Sequence, residues 1–303
     1  MRTIELGKTG LQVPTIAVGC MRFRDLNEKQ VAEVVDAALY MGENYFDHAD
    51  IYGAGKSEEL FGKAITPSMR QNIFIQTKCG IRKGLYDFSY EHIVNSVDGS
   101  LKRLGTEYID VLLLHRPDTL MEPEEVARAF SDLKASGKVR HFGVSNQNPY
   151  QMQLLQNALD VPLCANQLQF GIMHTPMIQS EMNVNTYNDT GVVRDGGVLD
   201  YCRLHKITIQ PWSPMQYGFF EGCFIDHEKF PELNETLERI ANKYDISKTT
   251  LAFAWILRHP AKMQPVTGTT NVARLQDCIK ASEVSITREE WYEIYRAAGN
   301  KLP

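Results

Sequence analysis

Ile109-Asp110-Val111-Leu112-Leu113-Leu114-His115 is a short, largely apolar run that ends on an ionisable residue. Such a run shows no steady alternation of apolar and polar positions. It reads as a strand buried on both faces, as in a parallel sheet. Two earlier stretches have the same form. Ile73-Phe74-Ile75-Gln76-Thr77-Lys78 ends on lysine, and Asn44-Tyr45-Phe46 runs into Asp47. Three buried-type strands in a row finish on a group that can carry charge or a proton. A tyrosine, Tyr52, stands in the loop just beyond the first of them.

Outward from these strands the chain alternates regularly. Thr3 to Val13 reads as a hairpin turning at Gly7-Lys8-Thr9-Gly10, after which Pro14 stops the pairing. Thr15 to Gly19 is a strand, and its terminal glycine lets the backbone approach a ligand closely. Asn27 caps a helix that Gly42 ends, and Ser57 caps a second. Ser89 opens a helix ended by Gly105. Pro123 stands at the first helical position of another, closed by Gly137. Lys138 to Val144 is the fifth strand, ending at Ser145-Asn146; a helix from Pro149 to Leu159 follows. Val161 to Asn166 is the sixth strand, ending at Gln167, and Gly196 to His205 is helical. Ile207 to Pro211 is the seventh, ending at Trp212-Ser213-Pro214. Helices cover Leu233 to Tyr244 and Thr249 to Leu257. Gln264 to Thr267 is the eighth strand, and helices from Val272 to Ala281 and Thr287 to Ala298 complete the chain.

Eight strand–helix units, with strands apolar throughout, predict a single (β/α)8 TIM barrel over residues 1–303. The N-terminal β-hairpin would plug one end, and extra helices close the C-terminus. An open doubly wound sheet usually carries a G-x-G-x-x-G turn after its first strand. Gly19-Cys20-Met21-Arg22-Phe23 does not. In barrels, chemistry sits where strands end at their C-termini. Asp47, Lys78, His115, Asn146, Gln167, Trp212 and Thr267 are therefore expected around one mouth. Two long irregular stretches, Leu168 to Asp195 and Pro214 to Phe230, overlook it. The second carries Tyr217, Phe219, Phe220 and Phe224, which suit an apolar pocket wall.

The chain of 303 residues is 43% hydrophobic and 23% charged, with a formal net charge of -5. A mildly acidic chain with no basic block argues against nucleic acid as the main partner. No apolar run approaches the ~18 residues a membrane span needs, and the N-terminus does not read as a signal peptide. The cysteines (20, 79, 164, 202, 223, 278) are scattered without a CxxC, which reads as reduced thiols in a cytoplasmic protein. The histidines form no HxH or HExxH pair, so no metal is expected and a metal-dependent hydrolase is disfavoured. His48 and His141 read as structural or surface residues, and Arg116 as an ion-pair partner for Asp118.

A phenol is a poor acid near neutral pH, with a reference pKa of about 10. A fixed cation beside it favours the phenolate, and Lys78 is the candidate, with Asp47 to hold it. The residues that pose this arrangement are also the ones that carry a resemblance. Phe46-Asp47-His48-Ala49-Asp50-Ile51-Tyr52-Gly53, Gln76-Thr77-Lys78, Leu112-Leu113-Leu114-His115-Arg116-Pro117-Asp118, Gly143-Val144-Ser145-Asn146, Asn166-Gln167 and Trp212-Ser213-Pro214 occur in the order of the aldo-keto reductase superfamily. Together they resemble its bacterial predicted-oxidoreductase branch, from the hairpin to the last helix.

The resemblance implies NAD(P)H-dependent interconversion of a small-molecule carbonyl and an alcohol. The catalytic set would be Asp47, Tyr52, Lys78 and His115. Tyr52 would donate the proton, Lys78 would lower its pKa, Asp47 would hold Lys78, and His115 would bind the substrate oxygen. For the cofactor, the resemblance implies Ser145, Asn146 and Gln167 at the nicotinamide carboxamide and Trp212 stacked on the ring. Ser213, with Gly19 and Met21, joins that set. Gly268, Thr269, Thr270 and Arg274 would take the adenosine phosphate, with Asp277 near the adenine. An arginine favours NADPH, with NADH possible. Gly268 and Cys278 depart from residues some members carry, lysine and asparagine, which weakens that preference. A nucleotide-binding sensor or regulatory subunit with little turnover is the competing reading.

Overall fold

A computed structural model describes residues 2–302 of the chain. Its barrel strands are Ala17–Gly19, Tyr45–Asp47, Phe74–Cys79, Ile109–Leu114, Val139–Ser145, Leu163–Gln169, Thr208–Trp212 and Val266–Thr267. Strands two to seven each pair in parallel with the one before, and the eighth pairs in parallel with the first. The ring closes between the seventh and eighth through the Gln264 N–H, which donates to the Ile209 carbonyl at 3.0 Å.

The outer layer follows the capping signals. Asn27 and Thr287 each cap their helix reciprocally with the residue three on, Gln30 and Glu290. Ser89, Asn148, Ser247 and Asn271 accept from the first-turn backbone of theirs. Each such cap stabilises its helix by about 1 kcal/mol. Gly105 ends the helix Tyr90–Leu104 in the left-handed region, at φ 63°.

Period two along a strand sorts its side chains between layers. Leu112 and Leu114 pack outward with the helices, where Phe142 stacks on Phe130 at 4.1 Å between ring centroids. Val111 and Leu113 point into the bore with Tyr45 and Ala165. The hairpin, Thr3–Glu5 paired with Gln12–Pro14, closes the bore's N-terminal end with Leu6 and Val13. Gly7 makes that closure possible: a Cβ there would stand 2.6 Å from the Cys164 carbonyl oxygen. All the cysteines are free, and all but Cys223 are buried. Among the described residues no helix is long and apolar enough to cross a membrane.

Several local expectations change. Pro14 ends the hairpin while still paired, opposite Thr3. Ser57 is not a cap: the helix Lys56–Ala64 starts from Gly55 in the left-handed region, and the buried Ser57 hydroxyl bonds the Arg24 N–H and the Met21 carbonyl instead. The stretch 168–195 contains a helix, Pro176–Met182, and 214–230 contains a small hairpin, Gln216–Tyr217 against Gly222–Cys223. The strands are not apolar throughout, because they carry Gln76, Asn166 and Gln210, all wholly buried.

Candidate active site

The mouth at the strands' C-terminal ends gathers the predicted tetrad. Asp47 ends the second strand and Lys78 lies one residue from the end of the third; both are buried. The Lys78 Nζ lies 2.8 Å from each Asp47 carboxylate oxygen and 2.6 Å from the His48 carbonyl oxygen. Its remaining neighbour is the Tyr52 hydroxyl, at 3.2 Å. The backbone supports this register: Asp50 N–H donates to the Lys78 carbonyl at 3.0 Å, which ties the Tyr52 loop to the third strand. His115 follows the fourth strand, and its ring stands edge-on to Tyr52 with centroids 5.9 Å apart.

Electrostatics divide the four groups. Burial pushes the Tyr52 phenol above its ordinary value; Lys78 pulls it down without offsetting the burial. The expected depression by Lys78 is present as a force but not as the net result, because desolvation of the phenolate is larger. Tyr52 is thus a protonated phenol near neutral pH. Burial by itself would discharge Lys78, but Asp47 and then Tyr52 outweigh it and hold the ammonium above its ordinary value. Burial, then Lys78 and Arg116, keep His115 well below the usual imidazole range, hence neutral. A protonated phenol, a fixed cation and a neutral imidazole therefore face one another.

Around the rim, the fifth, sixth and seventh strands connect. Ser145 Oγ donates to the Gln167 carbonyl at 2.9 Å, Asn146 Nδ2 to Ser145 Oγ at 2.7 Å, and Trp212 Nε1 to Asn146 Oδ1 at 3.1 Å. Asn146 and Ser213 both adopt left-handed backbone, at φ 57° and 51°. Gln167 Nε2 reaches back to Asp47 Oδ1 at 3.1 Å. Trp212 is half-buried with Phe220 stacked 5.9 Å away.

Gly19 and Met21 lie beside this rim, but Gly19 answers to the sheet. A Cβ there would stand 2.5 Å from the Thr267 carbonyl oxygen, so glycine lets the first and eighth strands meet. Arg22 then bridges to the last segment, donating to the Gly268 carbonyl at 2.5 Å. Gly268, Thr269 and Thr270 lead into the helix Val272–Lys280, whose first turn exposes Arg274. Asp277 lies further along that helix, its carbonyl accepting from the Thr250 hydroxyl at 2.9 Å.

Arg116 does not pair with Asp118. Its guanidinium lies 5.5 Å from the Trp212 ring centroid, while Asp118 accepts from the Phe88 and Leu120 backbone. His48 is fully buried 4.5 Å from the Phe61 ring, and burial lowers it to about 3. A cavity of about 780 Å³ lies at the barrel's other end among Arg2, Thr15, Lys206 and Lys262, and holds none of the predicted residues.

What sequence reading missed are the amides beneath the tetrad. Gln76 and Gln210 both hydrogen-bond within the bore, Gln76 directly to Asp47. The available signal was Gln76 itself, two residues before Lys78 and so on the same face of the strand.

Comparison with known proteins agrees with this fold and order of residues. The family model described as the aldo/keto reductase family matches residues 15–298. A 6-dehydroglucose reductase of Agrobacterium fabrum is 34% identical, covering 96% of this chain and 96% of its own. Oxidoreductase YdhF of Escherichia coli is 32% identical, covering 98% of each. The crystal structure of the thermostable aldo-keto reductase Tm1743 with the inhibitor epalrestat matches with a TM-score of 0.77 at 26% identity, over 98% of this chain and 100% of that one. The chain is an oxidoreductase and belongs to the aldo/keto reductase family.

Proposed function

We propose that the chain reduces a small aldehyde or ketone to an alcohol at the cup formed by Asp47, Tyr52, Lys78 and His115, preferring NADPH to NADH. The observation that carries this reading is the 3.2 Å contact between the Tyr52 hydroxyl and a lysine that Asp47 grips through both oxygens.

The residues present fit a nicotinamide nucleotide. Trp212 offers a half-buried ring whose indole N–H is fixed by Asn146. The Gln167 amide nitrogen is engaged with Asp47 and Gln210, which leaves its oxygen to receive a carboxamide N–H. The N-terminus of the helix Val272–Lys280 suits a phosphate, and Arg274 makes no ion pair among the described residues. When bound, the cofactor supplies hydride to the carbonyl carbon.

The chain's own work is proton transfer and charge stabilisation. Tyr52 gives its proton to the carbonyl oxygen as negative charge develops there; positioned acids of this kind contribute about 10²- to 10⁴-fold. The phenolate left on Tyr52 faces the Lys78 ammonium. His115, neutral and edge-on to Tyr52, donates a hydrogen bond to the same oxygen. Phe219 and Phe220, exposed beside Trp212, suit an apolar group on the substrate.

Incubating the protein with NADPH and a panel of aldehydes and ketones, while following nicotinamide absorbance, tests the reading. Carbonyl-dependent oxidation is expected. Tight NADPH binding without turnover on any carbonyl would favour a sensor and contradict it.

A further inference from the structure

The bore carries a chain of amides that the proposed mechanism leaves unexplained. Gln76 is wholly buried and fully engaged. Its Nε2 donates to Asp47 Oδ1 at 2.6 Å and to Gln210 Oε1 at 2.9 Å, and its Oε1 accepts from the Tyr45 hydroxyl at 2.8 Å. Gln210 Nε2 continues to Gln264 Oε1 at 2.8 Å, and Gln264 Nε2 to the Pro14 carbonyl at 2.7 Å. Both ends of this chain are obligate acceptors, a carboxylate and a peptide carbonyl. The orientation of every amide between them is therefore fixed, and none can flip without losing bonds in a buried interior. Barrel bores are ordinarily filled by branched apolar side chains.

We propose that Gln76 is a positioning residue for Asp47, and through it for the charge on Lys78. It rests on the reading of the tetrad given above. Lys78 meets both Asp47 oxygens only at one tilt of the carboxylate plane. The Gln76 donor at 2.6 Å is the shortest side-chain bond to Asp47, and it pins Oδ1 at that tilt from below. Gln167 adds a weaker hold at 3.1 Å from the rim. An amide suits the task because it donates strongly, never titrates, and brings no net charge into the closed bore. Without it the carboxylate is free to turn, one oxygen leaves Lys78, and burial then acts on a less well compensated ammonium. The cation beside Tyr52 is lost at lower pH.

The test is a side-chain NMR titration of Lys78 in wild type, Gln76→Met and Tyr45→Phe, with the alkaline limb of carbonyl reduction measured in parallel. Gln76→Met keeps the bulk and removes both donors. It should lower the Lys78 titration point and the alkaline limb by about one pH unit or more, with NADPH affinity unchanged. Tyr45→Phe loosens the far side of Gln76 but spares its bond to Asp47, so it should move neither. An unmoved Lys78 in Gln76→Met, or an equal shift in Tyr45→Phe, would overturn the proposal. Should Gln76→Met fail to fold, Gln76→Asn, whose amide falls one carbon short of Asp47, is read by the same criterion. The NMR titration does not depend on turnover. A wild type without carbonyl reduction would sink the proposed activity while leaving this inference to its own result.

Discussion

The ammonium of Lys78 lies 2.8 Å from both carboxylate oxygens of Asp47, in a setting where both side chains are buried. Such a pair is costly to split, because the partner left behind is a buried charge with its main compensation gone. Lys78→Met should therefore destabilise the fold by about 3–5 kcal/mol as well as abolish reduction. Adding Asp47→Asn should restore part of that stability, since the stranded charge is gone. Urea unfolding of the single and double variants checks this; a double variant no more stable than Lys78→Met would refute the charge argument.

Arg274 stands in the first turn of its helix, exposed and without an acid partner among the described residues. A guanidinium there can pair a 2′-phosphate that NADH lacks. Arg274→Ala should raise the KM for NADPH about tenfold or more and that for NADH far less, the loss expected of one charged bond worth about 1.5–3 kcal/mol. Steady-state kinetics with each cofactor decide it, and equal effects on both would remove Arg274 from the phosphate site.

Glu43 sits between the helix Glu28–Tyr40 and the second strand, with both carboxyl oxygens buried and unpartnered. Burial raises its pKa from 4.5 to about 8. The folded state thus binds more protons than the unfolded state between those values, and stability falls as pH rises through that window. Glu43→Gln removes the titration. Its gain over wild type should be absent below pH 4.5 and reach at least about 1 kcal/mol near pH 8. Thermal melts across that range test it; a gain independent of pH would contradict the assignment.

The strand-end placement of the candidate residues was legible in the sequence because it is local. Asp47, Lys78 and His115 each close or follow an apolar run, and a parallel barrel carries all such ends to one face. The helix starts at Asn27 and Ser89 were equally plain, since each needs only its own first turn. Ser57 misled because a glycine in the left-handed region at Gly55 starts the helix earlier than any side-chain cap. Arg116 misled because sequence proximity to Asp118 says nothing of the Trp212 ring that approaches from another strand. The bore amides were hidden for the same reason: Gln76 and Gln210 lie on separate strands, Gln264 lies just before a third, and they become a chain only when the ring closes. The net rise in the Tyr52 pKa was equally out of reach, because it depends on burial that the sequence pattern does not show.

Tyr52→Phe tests the central claim most directly. Single-turnover NADPH oxidation with a carbonyl that wild type reduces should slow by about 10²- to 10⁴-fold, while NADPH affinity by fluorescence titration stays within about twofold. Turnover at the wild-type rate would mean that the proton comes from another group, and the proposed role of the Lys78–Tyr52 contact would fail.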